Sequence, residues 1–215
     1  MNLQQRLVRD IAVGIPGATG VFRRHKIDFC CNGAAPLAEA AARRGLDPEA
    51  LEAELRDLTG EADVTAPAET RELIAHILER YHEVHRREFP EAIRMARRVE
   101  AVHAGKAGCP HGLGDLLALM FDDLEDHQQK EEVILFPMML NGGGPMLGGP
   151  ITRMVMEHEE LGRQLEDMDR LTDGFTPPAA ACTTWRALYA ACAKLDEDLR
   201  EHVHLENNIL FPRFL

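Results

Sequence analysis

His127-Gln-Gln-Lys-Glu131-Glu-Val-Ile-Leu135-Phe136-Pro137 returns later in the chain as His202-Val-His-Leu-Glu206-Asn-Asn-Ile-Leu210-Phe211-Pro212. Both stretches read His-x3-Glu-x3-Leu-Phe-Pro. The offset is constant, 202 − 127 = 75 and 212 − 137 = 75, so one structural unit occurs twice. Residues four apart on a helix share a face one turn apart, which lets an imidazole and a carboxylate aim at one point. Two such pairs that converge make a metal site. A single copy is more often a solvated surface pair than a metal site; the repetition, with Pro137 and Pro212 placed to stop each helix in the same register, favours the metal.

Working outward, long helices are expected over residues 69–104, 112–140, 150–172 and 181–213, separated by Gly/Pro stretches around Gly105–Pro110, Asn141–Gly149 and Asp173–Pro178. Short connections between long helices predict an all-α, antiparallel four-helix bundle. Ahead of it, residues 1–58 read as a small helical N-terminal domain, with apolar residues at helical spacing over 36–44 and 48–58. Residues 59–68, Thr59-Gly-Glu-Ala-Asp-Val-Thr-Ala-Pro67 and one more, break the periodicity and read as a linker. The bundle segment, 69–215, is expected to fold and bind metal without the domain and linker that precede it.

A core site in such a bundle draws a ligand from each helix. The first helix offers His82 and His85, the third His158. The difference 158 − 82 = 76 is within one residue of the repeat and selects His82. Each half then supplies one lone His followed by His-x3-Glu: His82 with His127 and Glu131, His158 with His202 and Glu206. Four imidazoles and two carboxylates exceed one tetrahedral zinc and suit two octahedral ions bridged by both carboxylates and a solvent oxygen, with one position left open on each. Imidazole and carboxylate at a redox pair indicate iron, with manganese as the alternative. A ferritin-like reading built on Glu79-x-x-His82 and Glu201-x-x-His204 leaves His127, His158 and His202 idle, and His204 lies on nearly the opposite face from His202.

Around this set, Glu125 and Glu159 each stand close to a ligand His in sequence and are candidates for a proton relay or for orienting imidazoles. His85 and His103 are candidate outer donors to the ligands. His25, His76 and His111 read as surface or core residues. Cys30 and Cys31, in Asp28-Phe-Cys-Cys-Asn-Gly33, are either a thiol relay or packed as small apolar groups.

Composition narrows the function classes. The formal net charge of −12 disfavours nucleic acid, whose phosphates need a basic partner, and gives no reason to expect an anionic membrane. No stretch approaches a membrane span and the start has no apolar signal-like run, so a cytoplasmic location is expected. Five Cys, an odd number with no Cys-x-x-Cys, point to free thiols in a reducing compartment.

These residues resemble the hemerythrin-like di-iron proteins, and specifically the iron-sulfur cluster repair (RIC) family of YtfE/ScdA type. The resemblance spans nearly the whole chain and rests on Asp28-Phe-Cys-Cys-Asn-Gly33, Tyr81-His82-x-x-His85-Arg86, Lys130-Glu131-Glu132-x-Ile134-Leu135-Phe136-Pro137, Ala181-Cys182-Thr183-Thr184-Trp185 and Leu205-Glu206-Asn207-Asn208-x-Leu210-Phe211-Pro212. It implies iron ligation by His82, His127, His158 and His202, with Glu131 and Glu206 bridging two irons through an oxo or hydroxo group. Oxygen-carrying hemerythrins have a further His where this chain has Gly162, and an Asp at longer spacing where it has Glu206. The implied role is repair of iron-sulfur clusters damaged by nitrosative or oxidative stress, through iron donation or nitric oxide reduction. Its partners are then proteins with damaged clusters and nitric oxide or other diatomic ligands, with a monomer or weak homodimer expected. A hemerythrin-type oxygen or iron sensor is the alternative.

Overall fold

The structure is a computed structural model describing residues 2–58 and 66–215. Most of the expected linker, 59–65, lies outside the described residues. Ten α-helices occur among the described residues: α1 (Val8–Gly14), α2 (Ala18–Arg24), α3 (Leu37–Arg43), α4 (Pro48–Arg56), α5 (Thr70–Ile77), α6 (Glu83–His103), α7 (Leu113–Lys130), α8 (Phe136–Leu140), α9 (Gly148–Leu171) and α10 (Thr183–Leu205). No β-strand is present among them, so the all-α expectation holds. The chain divides into two compact units, Met1–Leu73 with Arg200–Leu215, and Ile74–Leu199; the division falls within α10.

The Ile74–Leu199 unit contains the long helices, and its polar cross-links give their directions. Glu100 accepts from the Gly114 backbone, and Arg86 meets Glu125, so α6 and α7 run antiparallel. His127 pairs with Glu157 and Asp123 with Gln164, which makes α7 and α9 antiparallel. Arg80, in the turn before α6, holds Asp198 and Lys194 holds Glu88, so α6 and α10 are antiparallel as well. Burial tends to raise the Asp198 carboxyl, but the hydrogen bonds from Arg80 and Lys194 bring it below the usual carboxylate value. Apolar residues at three- and four-residue spacing fill the interior, among them Phe89, Leu117, Met120, Leu165, Trp185 and Leu188. Burying each such side chain contributes roughly 1.5–3 kcal/mol.

Three turns among the described residues widen to π geometry. Glu83 N–H bonds to Leu78 O, Phe136 N–H to Glu131 O, and Phe211 N–H to Glu206 O, each reaching five residues back to close a π-helical turn. The second and third turns are again related by the repeat offset, 206 − 131 = 75. This corrects the expectation that Pro137 stops its helix: α8 carries on to Leu140. Proline lacks the N–H that residue 133 would bind in an α-helix and its ring crowds that carbonyl, and the widened turn 131–135 accommodates both effects.

In the other unit, α1–α4 close around Val8, Ile11, Val21, Phe22, Phe29, Leu37, Leu51 and Leu55. Asp47 caps α4 by accepting from the Glu49 backbone at 3.0 Å, with Pro48 in the first turn. Arg9 N–H bonds to Gly33 O at 2.9 Å, so the Cys30–Cys31 loop is fastened to α1. A Cβ at Gly33 would stand 2.7 Å from Phe29 O and 2.8 Å from Arg9 Cβ, too close for any other residue without a backbone shift.

Candidate metal centre

The π turns sit where the repeat places ligands. His82 ends the first, Glu131 opens the second and Glu206 opens the third. A π turn rotates the residues after it relative to α register, and such turns recur at functional sites. All six predicted ligands are buried: His82, Glu131 and Glu206 fully, His127, His158 and His202 at 5% exposure or less.

Within the Ile74–Leu199 unit, four of the six come together. Glu131 divides its carboxylate: Oε2 lies 3.5 Å from His82 Nε2 and Oε1 lies 3.4 Å from His127 Nε2. His127 Nε2 and His158 Nε2 stand 3.0 Å apart. Two nitrogens bound to one ion at about 2.1 Å are about 3.0 Å apart at a right angle and about 3.4 Å apart at the tetrahedral angle. The His127–His158 spacing therefore matches two adjacent corners of an octahedron. In the other unit, His202 Nε2 lies 3.0 Å from Glu206 Oε1.

The far nitrogens of two imidazoles are held by carboxylates. His127 Nδ1 is 2.8 Å from Glu157, which also receives Lys130 and Arg153. The His127 hydrogen bond first, and those of Lys130 and Arg153 with it, hold the Glu157 carboxyl well below its usual range despite burial. His82 Nδ1 is 2.8 Å from Glu132, which also takes Arg86. An Nδ1–H donated to a carboxylate fixes the tautomer and turns the Nε2 lone pair toward the cluster.

The sequence alone does not single out Glu157 and Glu132. Each neighbours a ligand in the string, but nothing there separates them from other surface Glu residues. The candidate Glu125 stands one step further out, bonded to Arg86 and through it to Glu132. Glu159 is exposed, and the carboxylate that reaches His127 is Glu157, two residues earlier.

The two expected outer donors have these partners. His85 is buried against Gln128, 3.3 Å from its amide, and His103 pairs with Cys182. His204, expected to face away, bonds Asn208 and meets Phe29 edge-on, and burial pushes its pKa down to about 4. A cavity of about 330 Å³ between α7 and α9 reaches His127 and His158, with Met120, Leu124 and Leu161 on its wall and Lys130 on its lining. Small molecules thus have room beside these two imidazoles.

Asp28, Cys30 and Cys31 form a second, smaller cluster. Asp28 accepts from the Cys30, Cys31 and Asn32 groups at 3.2, 2.9 and 2.7 Å, and the two sulfurs stand 3.4 Å apart. Burial tends to raise the Asp28 carboxyl, yet these bonds leave it below the usual value. The Cys31 hydrogen bond, then burial, push the Cys30 thiol up. Asn207 Nδ2 donates to Cys30 O at 2.9 Å and Asn208 Nδ2 to Phe29 O at 3.2 Å. These asparagines directly follow Glu206, so the thiol loop is fastened to the helix end that carries a predicted ligand.

No helix among the described residues is long and apolar enough to cross a membrane. Residues 73–214 match the Hemerythrin HHE cation binding domain, and residues 4–59 match ScdA_N, a domain of unknown function. Over its whole length the chain is 48% identical to the iron-sulfur cluster repair protein YtfE of Dickeya chrysanthemi, covering 99% of that protein. The YtfE proteins of Musicola paradisiaca and Edwardsiella ictaluri are each 47% identical, again over the full chain and 98% and 99% of theirs. With residues 73–214 matched by the hemerythrin model and nearly half of all positions shared end to end with these relatives, the chain belongs to the hemerythrin-like iron-sulfur cluster repair family.

Proposed function

We propose that His82, His127, His158 and His202, with Glu131 and Glu206 bridging, hold two iron ions, and that the protein repairs iron-sulfur clusters damaged by nitric oxide or oxidants in the cytoplasm. The observation that carries this is the divided Glu131 carboxylate, one oxygen toward His82 and the other toward the His127–His158 pair. A single ion needs no such split. His202 and Glu206 supply the same His-x3-Glu pair at the repeat offset, opening an identical π turn, and this supports assigning them to the same pair of ions.

Bound there, a pair of iron ions supplies one-electron chemistry to diatomic ligands and a store of iron for transfer. The protein's part is positional. Glu157 and Glu132 keep His127 and His82 in the tautomer that offers Nε2. The cavity, with Met120, Leu124 and Leu161 on its wall, gives small ligands a way to His127 and His158. The fifth imidazole of oxygen carriers is replaced by Gly162, which favours an open position over controlled oxygen carriage.

Anaerobic titration of the reduced, iron-loaded protein with nitric oxide tests the reading, following both nitrous oxide and iron passed to an apo-ferredoxin. Either product supports repair and says which route dominates. Neither product, together with a reversible oxygen adduct, overturns it in favour of a sensor.

We further propose that Cys30 and Cys31 relay iron or nitrosyl-iron species to the damaged client, since thiolates are soft ligands for both. In a Cys30→Ser, Cys31→Ser variant the backbone N–H groups at 30 and 31 still have Asp28 to donate to, so the fold is expected to be retained. Iron content and helicity are expected to match wild type while iron transfer falls roughly tenfold. Undiminished transfer per bound iron would remove the thiols from the mechanism.

A further inference from the structure

The five cysteines are free thiols in different surroundings. Cys30 and Cys192 are buried, and burial pushes Cys192 up to about 12. Cys109 is half-buried, and burial, then the Glu100 charge, push its thiol up. Cys182 is the exposed one, and His103 Nε2 stands 3.2 Å from its Sγ.

His103 is not a mobile surface imidazole. It is 7% exposed, and its ring stacks on Trp185 with centroids 5.2 Å apart at 26°. Its Nδ1 has no hydrogen-bond partner among the described residues. A buried ring nitrogen left so is costly and calls for an explanation. Nε2 accepts from the thiol in one tautomer and donates to the sulfur in the other, so it is the ring nitrogen placed to exchange a proton with Cys182. The indole stack and the sulfur together hold the ring in that pose.

Cys182 also occupies the N-cap of α10: it precedes Thr183, and its carbonyl accepts the Arg186 N–H at 3.0 Å. The unsatisfied N–H groups of a first turn and the helix dipole favour negative charge there. A thiol beside an imidazole at a helix start is the environment in which cysteines act as nucleophiles. None of this involves the His/Glu cluster: Cys182 stands at the start of α10, and His202 lies in its last turn.

We propose that Cys182 and His103 form a thiol–imidazole pair that undergoes thiol–disulfide exchange with small disulfides, making Cys182 a redox modification site separate from the metal centre. The Cys182 proton passes to His103 Nε2, and the sulfur attacks one sulfur of the small disulfide. A new S–S bond forms as the old one breaks. The departing thiolate then takes the proton from His103, which returns to its neutral form. No outside electron donor is needed, since the small disulfide is the oxidant.

The test uses the full-length protein with oxidised glutathione and, separately, iodoacetamide at neutral pH, with each thiol followed by peptide mass spectrometry. Cys182 is expected to react first with both, roughly tenfold faster than Cys31. His103→Phe keeps a ring against Trp185 and removes the base. In it, Cys182 modification is expected to slow roughly tenfold, with Cys31 as the internal control and the melting temperature confirming the fold. If that variant unfolds, His103→Gln takes its place with the same expectation. The proposal is overturned if Cys182 reacts no faster than Cys31 in the wild-type protein, or if a folded His103 variant reacts at the wild-type rate.

Discussion

Replacing Glu131 by Gln is expected to reduce bound iron from about two ions per chain to one or none, the largest effect of any single substitution in the proposed site. Glu131 is fully buried, and its two oxygens face imidazoles from two different helices. An amide offers one good oxygen donor, carries no charge, and turns an N–H group toward one of those imidazoles. It can serve one side of the proposed pair and must oppose the other. The apo form of the variant is expected to melt no lower than apo wild type, because a buried carboxylate costs more to desolvate than the amide that replaces it. That separates loss of a ligand from loss of the fold. Glu125→Gln, which alters only a partner of Arg86, is expected to keep its iron. Elemental analysis of the purified proteins beside their apo melting curves checks all three statements. A Glu131→Gln protein that still carries two irons would falsify the bridging assignment, and a wild-type protein natively loaded with one zinc would end the di-iron reading.

What the sequence made legible was whatever depended on spacing. The constant offset of the two His-x3-Glu stretches picked out four residues and the near match of His82 with His158 added two, and all six are buried. Apolar periodicity and Gly/Pro breaks located the long helices to within a few residues, because those helices are long enough for the pattern to repeat several times. The misses have physical reasons of their own. The π turns at Leu78–His82, Glu131–Leu135 and Glu206–Leu210 leave no compositional trace, since a turn with one extra residue uses the same side chains as an ordinary one. Pro137 reads as a stop because in α geometry it would be one. Glu132 and Glu157 are indistinguishable from solvated carboxylates until the fold brings them to His82 and His127. His103 points toward the metal by its presence on the first helix, whereas its partner lies at the start of the last, 79 residues away.

The bundle segment beginning at Glu69 is expected to fold and to bind iron on its own, but to lose that iron to a chelator at least roughly tenfold faster than the whole chain. Folding alone follows from the Ile74–Leu199 unit, whose core of Phe89, Leu117, Leu165 and Trp185 lies inside the segment. The weaker hold on iron follows from the other unit, to which His202 and Glu206 belong. There the end of the last helix is secured by Asn207 to Cys30 O, Asn208 to Phe29 O, the edge contact of His204 with Phe29, and the Arg23–Glu201 ion pair. Two hydrogen bonds at about 1 kcal/mol each, a ring contact of similar size and a half-exposed ion pair that adds little come to about 3 kcal/mol. All four are absent once everything before Glu69 is removed. The turn holding His202 and Glu206 then opens more often, and each opening exposes two of the six proposed ligands. Iron release to a colourless chelator, timed for the fragment and the full chain at equal iron loading, measures this directly. An unfolded or iron-free fragment would make the N-terminal residues part of the core. Equal release rates would mean that the asparagine contacts hold the thiol loop alone and do nothing for the ligands beside them.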